Sequence, residues 1–274
     1  MKIIFSRKGF DDAYGKAANL ILPDGRLVVF PIPEHAPHKG IGYGQIQSNG
    51  SLLQEYFSQL NITLPSDHTG AHLDPDIDIN ATSRAEGWRP VFGSHGAANA
   101  HLINQGVGTG DLFLYFGSFR HVFHDKNGSL CYVKGPAIHL LFGWLKVGQR
   151  IDNPFLWGST IPEWTRSHSH VINNYGKSNS IYLSDFRENG EPDAGVLSFR
   201  EDRILTKEGL SKSFWSLPSF FHPDHGTVIS RHSRQDRFNA FSDHVELKTV
   251  SIGQDFVVKS ERPEVIEWAM NRIS

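Results

Sequence analysis

The chain has a single cysteine, Cys131, among its 274 residues. That excludes an internal disulfide framework and suits a reducing, cytoplasmic setting. It also lacks an excess of either charge, with 27 Lys and Arg against 29 Asp and Glu. Proteins that live by sequence-independent DNA binding usually carry a basic surplus, so a nucleic-acid contact is expected to be local or limited to a nucleotide. No segment approaches about 18 consecutive apolar residues, and the start, MKIIFSRKGF, has too short an apolar run for a secretion signal, so no membrane partner is expected. A P-loop, a dinucleotide fingerprint, a G-x-S-x-G elbow and a kinase motif set are all missing. Cys131 has no partner motif, so nothing argues for nucleophilic catalysis by serine or cysteine. No repeat or low-complexity linker divides the chain, and residues 1–274 read as one domain.

Aromatic residues and histidine are abundant: 19 Phe, 6 Trp and 15 His. The pattern along the chain is of short strands with a few short helices. Strands are expected at 2–5, 27–30, 112–116, 138–147 (bent at Gly143), 180–183 and 196–199. Asp24-Gly25 and Asn127-Gly128 mark hairpin turns. Apolar spacing predicts helices over 51–60, with Ser51 as cap, over 97–104 and over 263–273, the last with proline at its first position. Residues 211–215 suggest one helical turn, and 245–250 with 256–259 suggest a final hairpin through Gly253. The expected class is α+β, a mostly antiparallel sheet or a barrel-like, PUA-like arrangement with a few short helices.

Chemistry concentrates in residues 93–120, GSHGAANAHLINQGVGTGDLFLYFGSFR, where small residues permit close backbone approach to a ligand. The stretch carries His95, His101, Asn104, Gln105 and Asp111. A second motif is Ala71-His-Leu-Asp-Pro-Asp76. Alternation sends the His72 and Asp74 side chains the same way, and Asp76 can join them beyond Pro75. An H-x-D pair supplies two ligands of a two-histidine, one-carboxylate iron site, with the third from His95, His101, His168, His170 or His222. Another divalent metal, or general acid/base work, is a second reading of these carboxylates, and a structural turn is a third. The turn Ser6-Arg7-Lys8-Gly9-Phe10-Asp11 offers cations and backbone N–H groups to an anion, or is a solvated turn. Arg231, Arg234 and Arg237 form a basic run, and Trp215, Phe220 and Phe221 could stack on a base or fill a core.

Seven segments together resemble the nucleotide modification associated domain 3 family. They are FSRKGFD (5–11), PDGRL (23–27), PIP (31–33), HLDPD (72–76), HLINQGVGTGDLFLYFG (101–117), FGWLKVG (142–148) and SFWSLP (213–218). The likeness runs in order over nearly the whole chain. It departs at Ser118, where the family carries a bulkier aromatic, and after Tyr14, where it has a longer glycine pair. The resemblance implies a setting in phages and bacteria beside other DNA-modification proteins.

The resulting expectation is an enzyme that modifies a nucleotide or DNA base, with a divalent metal as its cofactor. A base inside duplex DNA would have to be flipped out first. His72, Asp74, Asp76, His101 and Asp111 are the expected catalytic set, and His72, Asp74 and Asp76 the expected metal ligands. Arg7 and Lys8 would hold phosphate, with Asp11 beside them as a further substrate-binding residue, while Asn104 and Gln105 would read a base edge. The alternatives are a non-catalytic module that recognises a modified base and a toxin or defence effector that attacks nucleotides. The single-site reading requires the 72–76 and 101–111 segments to face one pocket.

Overall fold

The computed structural model describes residues 1–34, 40–66, 70–153, 161–173, 175–250 and 254–274. The fold is α+β and mostly antiparallel. Among the described residues the principal sheet has eleven strands. Its path runs Val228–Ile229, Asp255–Lys259, Ile3–Arg7, Leu112–His124, Ile138–Asp152, Asn179–Ser184 and Val91–His95. Four short strands branch from this path, and the sheet stays open, as the first of the two expected arrangements has it, rather than closing into the barrel-like alternative.

Leu112–His124 is the spine. It pairs in parallel with Ile3–Arg7 and Asn19–Ile21, and antiparallel with Leu130–Tyr132 and Ile138–Asp152. The apolar run that marks it in the sequence is only the part buried on both faces. Leu112, Leu114 and Phe116 pack on one side with Ile3, Phe5, Trp215 and Trp268. Phe113 and Tyr115 pack on the other with Ile4, Phe92, Leu102 and Tyr182. The register shifts between Leu141 and Gly143, where the bend was expected.

Four local expectations differ from the structure, one being the strand expected at 196–199, which lies instead at Ala194–Val196. Residues 211–215 do not form a helical turn, because Phe214–Pro218 is a strand paired to His244–Lys248. Trp215 and Leu217 alternate with half-buried neighbours there, a period of two rather than 3.6. His244–Lys248 and Asp255–Lys259 are both strands but belong to different sheets, so they do not make a hairpin. The turn expected at Gly253 lies outside the described residues. Ser51 sits in a short strand, and the N-cap of the helix Leu53–Leu60 is Leu52.

The helices Gly96–Asn104 and Pro263–Ile273 lie close to the expected bounds. No helix of the described residues is long and apolar enough to cross a membrane.

Candidate functional site

Ile3–Arg7 delivers Lys8 just past its C-terminal end. Gly9 follows with φ 76°, a left-handed conformation that turns the chain away where a Cβ would stand 2.9 Å from Val29 Cγ1. The short strand Gly70–His72 brings His72, and Asp74 lies two residues beyond it. The short helix Ser169–Ile172 brings His170 across the face of Val91–His95 at Gly93. A Cβ on Gly93 would stand 2.1 Å from His170 Cδ2, so only glycine admits the ring. These elements enclose a cavity of about 150 Å³ whose lining includes Arg7, Lys8, His72, Asp74, His95 and His170.

Asp74 is the centre of this cavity. Its Oδ1 accepts the Gly93 N–H at 2.6 Å, with His168 Nε2 at 3.6 Å. Its Oδ2 has longer contacts, 3.6 Å to Lys8 Nζ and 3.9 Å to His72 Nε2. Burial opposes the charge of this carboxylate. Lys8, His168, His170 and His72 outweigh burial and hold the carboxyl below the usual carboxylate range. Lys8 is itself held over the Phe92 ring, 4.2 Å from its centroid.

The histidines are oriented from behind. His72 Nδ1 lies 2.7 Å from Glu34 Oε1, an acceptor, so this nitrogen carries the proton. His170 Nδ1 lies 2.8 Å from Asn179 Oδ1, while Asn179 Nδ2 donates to the His170 carbonyl. His170 Nδ1 is therefore also the donor. Both rings in their neutral form keep Nε2 as a lone pair, and burial keeps His170 well below the usual imidazole range. His168 has the opposite tautomer, since its Nδ1 accepts the His170 N–H. Its Nε2 is buried without a hydrogen-bond partner among the described residues and points at Asp74. Tyr175 stacks on His95 at 4.3 Å, and burial and Glu34 push its hydroxyl up to about 12.

Five of the sequence-derived residues meet here: Arg7, Lys8, Asp11, His72 and Asp74 all line the cavity. Asp11 also accepts the N–H groups of Ala13 and Tyr14 and pairs with Arg7 at 3.8 Å, so it shapes the turn. The other five lie elsewhere. Asp76 is held by both Arg84 nitrogens, at 2.7 and 2.6 Å. His101 hydrogen-bonds Ser230 at 2.9 Å. Asp111 accepts from Lys2 N and Gly108 N at the entry to Leu112–His124. Asn104 is exposed, and neither it nor Gln105 is among the residues lining this cavity. The 72–76 and 101–111 segments therefore do not share one pocket.

Sequence reasoning missed Glu34 and Tyr175, whose partners His72 and His95 are distant along the chain, and Asn179, nine residues from His170; Gly93 opens the stretch 93–120 but was not singled out. His168 and His170 were among the candidate third ligands, and their H-x-H spacing was the signal available. Two arginines of the basic run are otherwise engaged: Arg234 pairs with Asp236, and Arg237 donates to the Lys248 carbonyl. Trp215 and Phe221 are core residues.

A second cavity, of about 390 Å³, lies against the first, and Gly9 and Asp74 belong to both linings. Its wall is largely apolar, with Val29, Leu53, Leu73, Ile77 and Phe142, and Arg26, Gln47 and Asn49 add polar groups. The helix Gly96–Asn104 begins beside the smaller cavity without a side-chain cap, and Ala98 of its first turn contributes to the lining.

The model of the family described as Nucleotide modification associated domain 3 matches residues 2–259. Comparison with curated proteins and with solved structures finds no match.

Proposed function

The chain belongs to the nucleotide modification associated domain 3 family, and from that premise we propose that the paired cavities hold a nucleotide and that groups around Asp74 act on it. The observation that carries this reading is the buried Asp74 carboxylate, approached by Lys8, His72 and His168. A carboxylate sequestered among cations and imidazoles is costly to assemble unless it is used, and such sites concentrate at catalytic centres.

Each cavity suits one part of a nucleotide. Arg7, Lys8 and the uncapped start of Gly96–Asn104 form a positive rim that favours phosphate. The larger apolar cavity suits a planar base, with Gln47 and Asn49 at its edge. The shared Asp74 then lies between phosphate and base, where its persistent negative charge can orient Lys8 and the imidazoles toward the ligand. Near-neutral overall charge fits a ligand of nucleotide size better than long-range attraction to duplex DNA.

The test is nucleoside mass spectrometry of DNA and of the free nucleotide pool, from cells carrying the wild-type chain or Asp74→Asn. An altered nucleoside that disappears with Asp74→Asn is the expected result. Nucleotide binding by the purified protein, with no altered nucleoside in any sample, would favour recognition of a modified base instead. No altered nucleoside and no binding would reject the proposal.

A further inference from the structure

We propose that His72 Nε2, His170 Nε2 and Asp74 Oδ2 bind one divalent transition-metal ion, in the pocket read above as nucleotide-binding and resting on that reading for its purpose. His72, Asp74 and His170 each offer one ligand atom, and these atoms lie within 4.8 Å of one another. Two imidazoles with one carboxylate suit zinc, iron and related ions, whereas magnesium and calcium favour all-oxygen sites.

Three independent features support the assignment. The first is tautomer. Glu34 and Asn179 each take an Nδ1 proton, which directs both Nε2 lone pairs away from their acceptors. An outer acceptor behind a ligating imidazole is the usual way proteins orient such ligands. The second is the division of labour on Asp74. Oδ1 is held at 2.6 Å by Gly93 N, while among the described residues Oδ2 has contacts of 3.6 and 3.9 Å, which leaves a monodentate position. The third is His168. Its buried Nε2 has no hydrogen-bond partner among the described residues and is directed at the same carboxylate, as a group that steadies Asp74 rather than as a ligand.

Tetrahedral bonds of about 2.1 Å give ligand separations of roughly 3.4 Å. The three groups, now within 4.8 Å of one another, therefore have to close by up to about 1.4 Å on binding. Lys8 is the resident competitor for Oδ2. With the ion bound, its ammonium keeps the Phe92 ring and repels the metal. Lys8→Met is accordingly expected to tighten metal binding roughly tenfold. In a purely structural cluster this substitution would have no such effect. The ion would supply Lewis acidity between the phosphate and base compartments.

The experiment uses chelator-stripped, full-length protein titrated with Zn²⁺ and Co²⁺ in the absence of nucleotide, with Mg²⁺ as a control. One equivalent of Zn²⁺ is expected, with visible Co²⁺ bands of a nitrogen–oxygen site. His72→Ala and Asp74→Asn should weaken binding about 100-fold or more, and Glu34→Gln about tenfold. His101→Ala should not change it. If a variant fails to fold, histidine-ring NMR of the wild-type protein decides: two imidazoles, both protonated at Nδ1, should shift on adding Zn²⁺. Absence of stoichiometric binding, no ring shifts, or binding indifferent to His72→Ala and Asp74→Asn would overturn the proposal. Metal bound without any nucleotide affinity would retain it and reject the nucleotide reading, and the reverse result would do the opposite.

Discussion

Gly93 and Asp74 show how a single side chain, or its absence, sets the site. Any Cβ at Gly93 collides with the His170 ring. Gly93→Ala is expected to displace that ring and to destabilise the fold by about 1–3 kcal/mol, measured by urea unfolding. Unchanged stability would mean that the ring has room to move. Asp74 and Asp76 look equivalent in HLDPD, yet their environments differ. Asp76→Asn takes a carboxylate from Arg84 and is expected to lower stability by about 1–3 kcal/mol without changing ligand binding. Lost binding at unchanged stability would put Asp76 in the site instead. The motif announced His72 and Asp74 because they stand two residues apart, although the strand ends at His72 and Asp74 follows it in a turn. It could not separate Asp74 from Asp76, because that depends on Arg84 and Gly93, which come from other parts of the fold. The same holds for Asp111. Its partner Lys2 is remote in sequence, so a strand-entry cap and a pocket acid look alike in the sequence.

Periodicity revealed most elements but not which elements pair. The helix Pro263–Ile273 was legible from its proline and its apolar stripe. The sequence did not show that Trp268 packs edge-on against Phe5, at 5.9 Å, and Phe221, at 5.1 Å. Phe5 lies three residues before Lys8 on the strand that delivers it. Trp268→Ala is expected to cost about 3–5 kcal/mol, read from denaturant midpoints. Site binding should weaken as well, because the strand loses its backing. If stability fell while binding held, the helix would be a separate support. The strand Phe214–Pro218 was misread as helical because SKSFW is a short window. The decisive alternation appears only when Leu217 is included with Trp215.

Across the whole molecule, buried polar groups set the acid limit. His139 accepts the Trp215 indole N–H at 3.0 Å, and burial, followed by Lys212 and Arg7, holds its pKa down to about 3. The unfolded ring titrates near 6.5. Between those values the unfolded chain takes up a proton that the native chain refuses. Stability is therefore full above about pH 6.5 and falls as pH drops toward 3, by roughly 1.4 kcal/mol per pH unit from this group. His139→Gln should flatten that slope in unfolding curves taken from pH 7 to 4. An unaltered slope would assign it to other groups. The α+β class was legible from composition and element lengths. The open, two-face-buried sheet was not, since it arises from pairings between distant segments, the parallel ones with Leu112–His124 among them.

The first strand lies between Leu112–His124 and Asp255–Lys259, with Ile3 opposite both Leu112 and Val258. During synthesis this strand is made long before Asp255–Lys259, its second flank. Until then Ile3–Arg7 is an unprotected edge carrying buried-type side chains, a form prone to wrong pairing. The nascent chain therefore cannot complete the site until Asp255–Lys259 is free to dock. A product that stops short of that strand would retain every residue of the Asp74 cluster without the geometry that makes it work.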